Sequence, residues 1–244
     1  MTMPTLDVGR IRAITLDLDD TLWPVRPTIE HAEDALRAWL DAHAPRAGAL
    51  ARDRDAASAA RQAVRAAHPH AIHDLTLLRR EAIRHVLHAA GEDPALAEPA
   101  FEVFFAARQR VTLYDDALPA LVALAARWPV VALSNGNADV HRVGIGAHFH
   151  ASVNAASVGA AKPDARIFLA GAAEAGVAAE QVLHIGDDLA LDVAGAQAAG
   201  MQTAWIRRPG DLLPDDYPNV RPDATVPDLW DLLELLRGMP NPGR

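Results

Sequence analysis

Apolar residues follow two rhythms along this chain, and the change of rhythm divides it. Residues 11–17 (IRAITLD), 130–134 (VVALS), 182–186 (VLHIG) and 201–206 (MQTAWI) are short, nearly unbroken apolar runs. Runs of this length bounded by turn residues predict strands buried on both faces. From residue 115 onward they alternate with helix-like stretches at 116–127, 138–143, 164–175 and 189–199, and a short segment lies at 151–154. Such alternation implies a parallel sheet with helices on both faces, an α/β fold. Residues 208–227 carry five prolines and read as loop, and DLWDLLELL at 228–236 reads as a closing amphipathic helix.

Between the first two runs the rhythm is helical. Residues 28–112 are rich in Ala, Leu, Arg, Glu and His, with almost no strand-like alternation. About four helices are expected there. One covers 28–43 with Thr28 as N-cap, and a second runs through 49–67. A third covers 74–91, capped by Asp74 and stopped by Gly91. The fourth covers 93–111, with Pro94 just inside its start and a kink at Pro99. The division is therefore a sheet core at 1–23 and 113–244, with a helical insert at 24–112 after the first strand.

Composition narrows the class. The 244 residues are 50% apolar and 23% charged, ordinary for a globular protein, with a formal charge of −9. An acidic balance argues against nucleic acid as a partner. Cysteine is absent, which excludes disulfides and thiolate chemistry. The first ten residues lack the apolar stretch of a secretory leader, and no run approaches the ~20 residues of a membrane span. A cytoplasmic protein without membrane association is the expectation. HPH at 68–70 and HFH at 148–150 read as ordinary surface or helix-end histidines, without the H-E-x-x-H pattern of a zinc site.

The chemistry sits where the apolar runs end. Asp17-x-Asp19-x-Thr21 follows the first run; strand alternation points Asp17 and Asp19 towards one site, where their charges repel unless a proton or a cation intervenes. Mg²⁺ suits such oxygens. The same residues could also form an ordinary turn. Ser134-Asn135-Gly136 ends the second run; it could hold phosphate oxygens or simply turn the chain, and Asn137 stands at its rim. Lys162 could neutralise a transferring anion or lie solvated at the surface. Gly186-Asp187-Asp188 with Asp192 is a second acidic cluster, in which Asp187 could reach the metal while Asp188 caps the next helix.

Taken together, this ordered set resembles the haloacid dehalogenase superfamily, in its phosphatase branch with a helical type 1 cap. The resemblance implies a Rossmann-like parallel-sheet core with the cap inserted after the first strand. It implies Asp17 as nucleophile forming an aspartyl phosphate, and Asp19 as general acid and base. Mg²⁺ would be held by the Asp17 carboxylate, the Asp19 backbone carbonyl and Asp187. Thr21, Ser134 and Lys162 would orient Asp19 or bind the phosphoryl group, with Asp192 and Asp188 behind the metal ligands. Leu191 departs from the Asn of many relatives, and Asp188 from Ser or Thr. The stretches LDLDDTLW-x-x-RP, HDLTLLR, ALSNGNA, KPD and LHIGDDLALDVAGA are similar to the bacterial phosphatases of FMN and of 5-amino-6-(5-phosphoribitylamino)uracil. A small phosphorylated metabolite is then the expected partner, for a monomer or weak dimer. Ser134, Asn135, Asn137 and Arg79 are substrate-binding candidates, Arg79 because its planar fork can bond oxygens or stack on a flat ring. A surface salt bridge is the plainer role for Arg79. The rival functions are a 2-haloacid dehalogenase on the same fold, which needs no metal, a phospho-accepting receiver module, and an inactive homologue that only binds a partner.

Overall fold

Residues 6–210 and 219–237 are described by a computed structural model. Six strands, β1 (Ala13–Leu16), β2 (Val130–Ser134), β3 (Ala151–Asn154), β4 (Val182–Gly186), β5 (Gln202–Ile206) and β6 (Ala224–Val226), form one sheet in the order β3-β2-β1-β4-β5-β6. Every neighbouring pair is parallel. All residues of β1, β2 and β4 are buried, so helices cover both faces, as the unbroken apolar runs predict. The chain leaves β1 to build β2 and β3 on one side, then returns to place β4 on the other. That reversal opens a crevice at the C-terminal ends of β1 and β4, the usual ligand position in open α/β sheets.

The described residues up to Pro24 and from Leu113 onward make one unit; Val25–Thr112 make the other. In the sheet unit, α6 (Ala117–Ala125), α7 (Val140–Val143), α8 (Ala155–Val158), α9 (Ala165–Glu174), α10 (Gly195–Ala198) and α11 (Leu229–Arg237) join the strands. Ile167, Phe168 and Ala172 of α9 pack on Ala13, Val131 and Leu133 of the sheet.

The helical unit consists of α1 (Val25–His43), α2 (Pro45–Arg52), α3 (Arg54–Ala67), α4 (Leu75–Ala89) and α5 (Ala97–Arg108). Ala32, Leu36 and Leu40 recur every four residues on α1 and meet Ile83 and Leu87 of α4 and Phe101 and Phe104 of α5 in one core. Asp74 caps α4 by accepting from the Leu77 N–H at 2.9 Å, and Gly91 turns the chain out at φ 67°.

Four local expectations change. Thr28 does not cap: α1 begins at Val25, and Thr28 lies buried inside it. Pro27 is tolerated there because a first-turn N–H has no helical partner to lose. The helix expected at 49–67 is two, because Asp53 leaves helical geometry and accepts from the Asp55 and Ala56 N–H groups to start α3. Pro99 makes no interior kink; it falls in the first turn of α5, after a 3₁₀ turn at Pro94–Leu96. The proline-rich loop contains β6, a short edge strand framed by Pro222 and Pro227. Residues 211–218 of that loop, and residues 1–5 of the segment read as lacking a leader, lie outside the described residues.

Among the described residues no helix is long and apolar enough to cross a membrane.

Candidate active site

Asp17 is the first residue past β1, and its N–H still donates to the Ile185 carbonyl of β4 at 2.9 Å. Its carboxylate therefore emerges at the crevice on a rigid strand end. The chain then turns within a few residues: Asp20 adopts a left-handed φ of 59°, and its N–H donates to the Trp23 carbonyl at 2.7 Å. Asp tolerates this conformation better than most side chains. The turn brings Thr21 back beside the strand ends. Its hydroxyl lies 3.3 Å from Asp17 Oδ2 and 2.9 Å from Asp187 Oδ1. With one proton to give, it can donate to only one of these carboxylates at a time.

Lys162 enters from the loop before α9 and is buried, its side chain 4% exposed. Its ammonium donates to Asp17 Oδ1 and, at 2.6 Å, to Asp192 Oδ1. The Asn135 amide fixes the Lys162 backbone from both sides, donating to its carbonyl at 3.1 Å and accepting from its N–H at 2.6 Å. Asn135 thus holds the lysine through its side chain. Ser134 is buried at the end of β2, and its Oγ accepts from the Gly136 N–H at 2.9 Å. Its own proton has no acceptor among the described residues.

Asp187 and Asp192 arrive together from the end of β4. A π-helical turn, Leu189–Ala194, widens the backbone there, and such turns are frequent at functional sites. Asp188 caps that turn through the Ala190 and Leu191 N–H groups, at 2.7 and 2.8 Å. Asp192 folds back over Gly186, where any Cβ would stand 2.3 Å from the Asp192 carboxyl carbon, so glycine is required for that approach.

The result is one charge cluster. Donor oxygens of Asp17, Asp187 and Asp192 all lie within 4.8 Å of one another. Burial pushes the Asp17 carboxyl well above its ordinary value; the Asp192 and Asp187 charges add to this and Lys162 opposes it. Asp187 is pushed up to about 7, first by burial and then by the Asp192 charge. Asp192 is also penalised by burial, but Lys162 and His184 outweigh that and hold it well below the usual carboxylate range. Lys162 is raised by Asp17 and Asp192 in spite of its burial. One ammonium does not balance three carboxylates. A hard divalent cation such as Mg²⁺ fits the remaining charge and the all-oxygen donor set.

The other sequence candidates have surroundings of their own. The Asp19 carboxylate accepts from the indole N–H of buried Trp23 at 2.8 Å. Asn137 is half-buried beyond the Ser134 turn. Arg79 belongs to the helical unit, where it pairs with Glu33 and stands 4.3 Å over the Phe104 ring. There it borders a cavity of about 580 Å³ whose wall also includes Leu36, Arg37 and Ile83.

Sequence reasoning passed over four supports. Trp23 holds Asp19. Trp205 donates its indole N–H to the Asp187 carbonyl at 2.7 Å. Arg208 donates to the Thr21 carbonyl at 2.8 Å, bridges to Asp116 and lies 3.6 Å over the Tyr114 ring. His184, inside β4, bonds Asp192 at 3.0 Å. Only His184 left a legible sign: a polar residue in the middle of an apolar strand.

The family model of haloacid dehalogenase-like hydrolases matches residues 11–200. The 5-amino-6-(5-phospho-D-ribitylamino)uracil phosphatase YigB of Escherichia coli is 34% identical over 234 residues, covering 94% of this chain and 98% of that protein. The glyceraldehyde 3-phosphate phosphatase of Methanopyrus kandleri is 30% identical, covering 93% of this chain and 97% of that one. Among solved structures, a 2-haloacid dehalogenase from Pseudomonas syringae superimposes with a TM-score of 0.86 at 36% identity, over 93% of this chain and 99% of that one.

Proposed function

This chain belongs to the haloacid dehalogenase-like hydrolase family, and on that premise we propose that it hydrolyses phosphate monoesters with Mg²⁺ through an aspartyl phosphate on Asp17. The observation that carries the reading is the placement of the Asp17 carboxylate: gripped by Lys162, faced by Thr21, and clustered with Asp187 and Asp192 at the crevice of the sheet.

Asp17, Asp187 and the Asp19 carbonyl would hold the cation. When bound, it supplies positive charge that offsets the carboxylates and the phosphoryl oxygens. The remaining steps belong to the side chains. An Asp17 oxygen forms a bond to phosphorus as the ester P–O bond breaks, and the Asp19 carboxyl gives its proton to the departing alkoxide. Asp19 then takes a proton from water, whose oxygen attacks the same phosphorus. The bond to Asp17 breaks, inorganic phosphate leaves, and both carboxyl groups return to their starting states. Lys162 and Ser134 stabilise charge on the non-bridging oxygens.

We assign substrate choice to the helical unit, as a cap. The core groups handle only the phosphoryl group that all substrates share, so discrimination requires contacts to the leaving alcohol. FMN, the ribitylaminouracil phosphate named for the E. coli relative, and related sugar phosphates are the proposed substrates, with a cytoplasmic location to match.

The test is phosphate release from FMN, sugar phosphates and nucleotides, with Mg²⁺ and after exhaustive EDTA. Activity on at least one ester that vanishes with EDTA and returns with Mg²⁺ is expected. Full activity in EDTA would overturn the metal. A second reading follows from the P. syringae relative, a 2-haloacid dehalogenase by name: Asp17 would attack carbon and displace halide, a step that requires no metal. Halide release from 2-chloropropionate in EDTA, with no phosphatase activity, would establish it instead.

A further inference from the structure

Asp192 is where the cluster is anchored, and it is anchored from inside the sheet. One of its oxygens takes two donors, Lys162 Nζ at 2.6 Å and His184 Nε2 at 3.0 Å. The other accepts from the Asp188 N–H at 3.0 Å. His184 lies directly across from Thr15 in the β1–β4 register, and its Nδ1 is 2.9 Å from the Thr15 hydroxyl. Phe168 closes the remaining side edge-on, its ring centroid 5.0 Å from the imidazole. Thr15 and His184 are both essentially without solvent contact.

We propose that His184 is a positioning residue: a buried imidazole that, oriented by Thr15, donates from Nε2 to Asp192, and through Asp192 sets Lys162 against Asp17. It touches none of the reacting atoms. The hydrogen-bond inventory fixes the direction of the chain. Asp192 is acceptor-only when ionised, so Nε2 must carry the proton. Nδ1 of the neutral ring is then an acceptor, filled by the Thr15 hydroxyl. The other acceptor near Thr15 is the Met201 sulfur, a weak one, 3.9 Å away. In the opposite tautomer Nε2 and Asp192 would face each other as two acceptors, which burial penalises. The imidazolium is disfavoured as well, since burial lowers the His184 value against the pull of Asp192.

An apolar pair would satisfy the sheet core at these two positions with no polar group to desolvate. The polar pair gives the carboxylate a fixed rotamer: His184 holds it from below, Asp188 from the side, and Lys162 meets it from the site. Partners of this kind typically change activity by about 10–100-fold when removed. The consequence for catalysis rests on the phosphatase reading; the orientation of the ring does not.

Two measurements separate these parts. Ring ¹⁵N NMR on the wild-type protein is expected to show His184 protonated at Nε2 and bare at Nδ1. A proton on Nδ1, or on both nitrogens, would overturn the proposal whatever the enzyme hydrolyses. Kinetics then compare His184→Leu with His184→Gln, whose amide can still donate to Asp192. If p-nitrophenyl phosphate is turned over by the wild type, His184→Leu should lower kcat by about 10-fold or more with KM little changed, and His184→Gln should recover most of it. Equal kcat in the folded wild-type and Leu proteins, or equal losses in Leu and Gln, would reduce His184 to a core residue. If the wild type hydrolyses no phosphate ester, the phosphatase reading falls. The tautomer and the Lys162 Nζ resonance, compared between wild type and His184→Leu, still decide the proposal: an unmoved Lys162 signal overturns it.

Discussion

The sheet edge and the helical unit both use oppositely charged side chains, at opposite depths. On α1, Arg26 and Glu30 pair at 3.0 Å with side chains 88% and 62% exposed. On α4, Arg84 pairs with Glu81, and both stay partly exposed. At the sheet edge, Lys162, Asp17 and Asp192 have side chains only 4%, 7% and 2% exposed. The pairing rule is the same, and the consequences are not. Exposed pairs are screened by water and contribute about 0–1 kcal/mol. Buried charges keep their Coulomb energy and their desolvation cost, so each becomes dependent on its partners. The helical unit carries pairs such as Arg26–Glu30 on its solvated surface, over an aliphatic and aromatic core in which Arg108 is a buried exception. The sheet unit has exposed pairs too, such as Arg166–Asp164, but it also gathers Lys162, Asp17 and Asp192 in one buried cluster.

That contrast can be broken by substitution. Asp17→Asn should have the largest effect, lowering turnover by roughly 10⁴-fold or more and leaving no acid-trappable aspartyl phosphate, since the nucleophile itself is gone. Asp19→Asn keeps the nucleophile and loses proton transfer, so a fall of roughly 10²–10⁴-fold is expected. Phosphate-release kinetics check both, and substantial activity in Asp17→Asn would place the nucleophile elsewhere.

Stability offers a second comparison. Lys162→Met strands two buried carboxylates, and urea unfolding in EDTA should register a loss of about 3–5 kcal/mol. Arg26→Ala should change the same measurement by less than about 0.5 kcal/mol. Similar losses for the two would erase the distinction drawn above.

Arg79 sharpens the question of what the helical unit does. It is already engaged by Glu33 and Phe104 within that unit. If it also reaches the leaving group, Arg79→Ala should lower kcat/KM for FMN about 10-fold, the scale of one charge-assisted hydrogen bond, and spare p-nitrophenyl phosphate. Equal losses on both would assign it to the fold alone.

The smallest expected effect is a pH trend. Asp187 is raised to about 7 in the fold, above the ordinary ~4 of an unfolded aspartate. A raised carboxyl favours the folded state while protonated, so its contribution is complete below about pH 4 and is lost as pH climbs through about 7. In EDTA, wild-type Tm should therefore fall relative to Asp187→Asn across that interval. A difference that stays flat or rises would show that Asp187 is not strained by its neighbours.

The sheet was legible because its strands are buried on both faces, and double burial demands apolar runs: VVALS and VLHIG match β2 and β4 to the residue. The strand-end positions of Asp17, Ser134 and Asp187 followed from the same runs. The helical segment was legible as composition, but its breaks were not, because Asp53, a residue type that favours helix starts, lies inside a continuous Ala- and Arg-rich pattern that reads as one helix. β6 was missed because a three-residue edge strand between prolines carries almost no pattern.

Sequence alone determined which polar side chains stand at the strand ends and which end of each strand presents them, since both depend on local order along the chain. Only the tertiary structure decided what those side chains do to one another. Asn135 grips the Lys162 backbone across 27 residues, and Lys162 reaches Asp17 across 145. His184 backs Asp192 because the β1–β4 register sets Thr15 opposite it. Contacts of that separation come from the folding of the whole sheet, which no local pattern encodes.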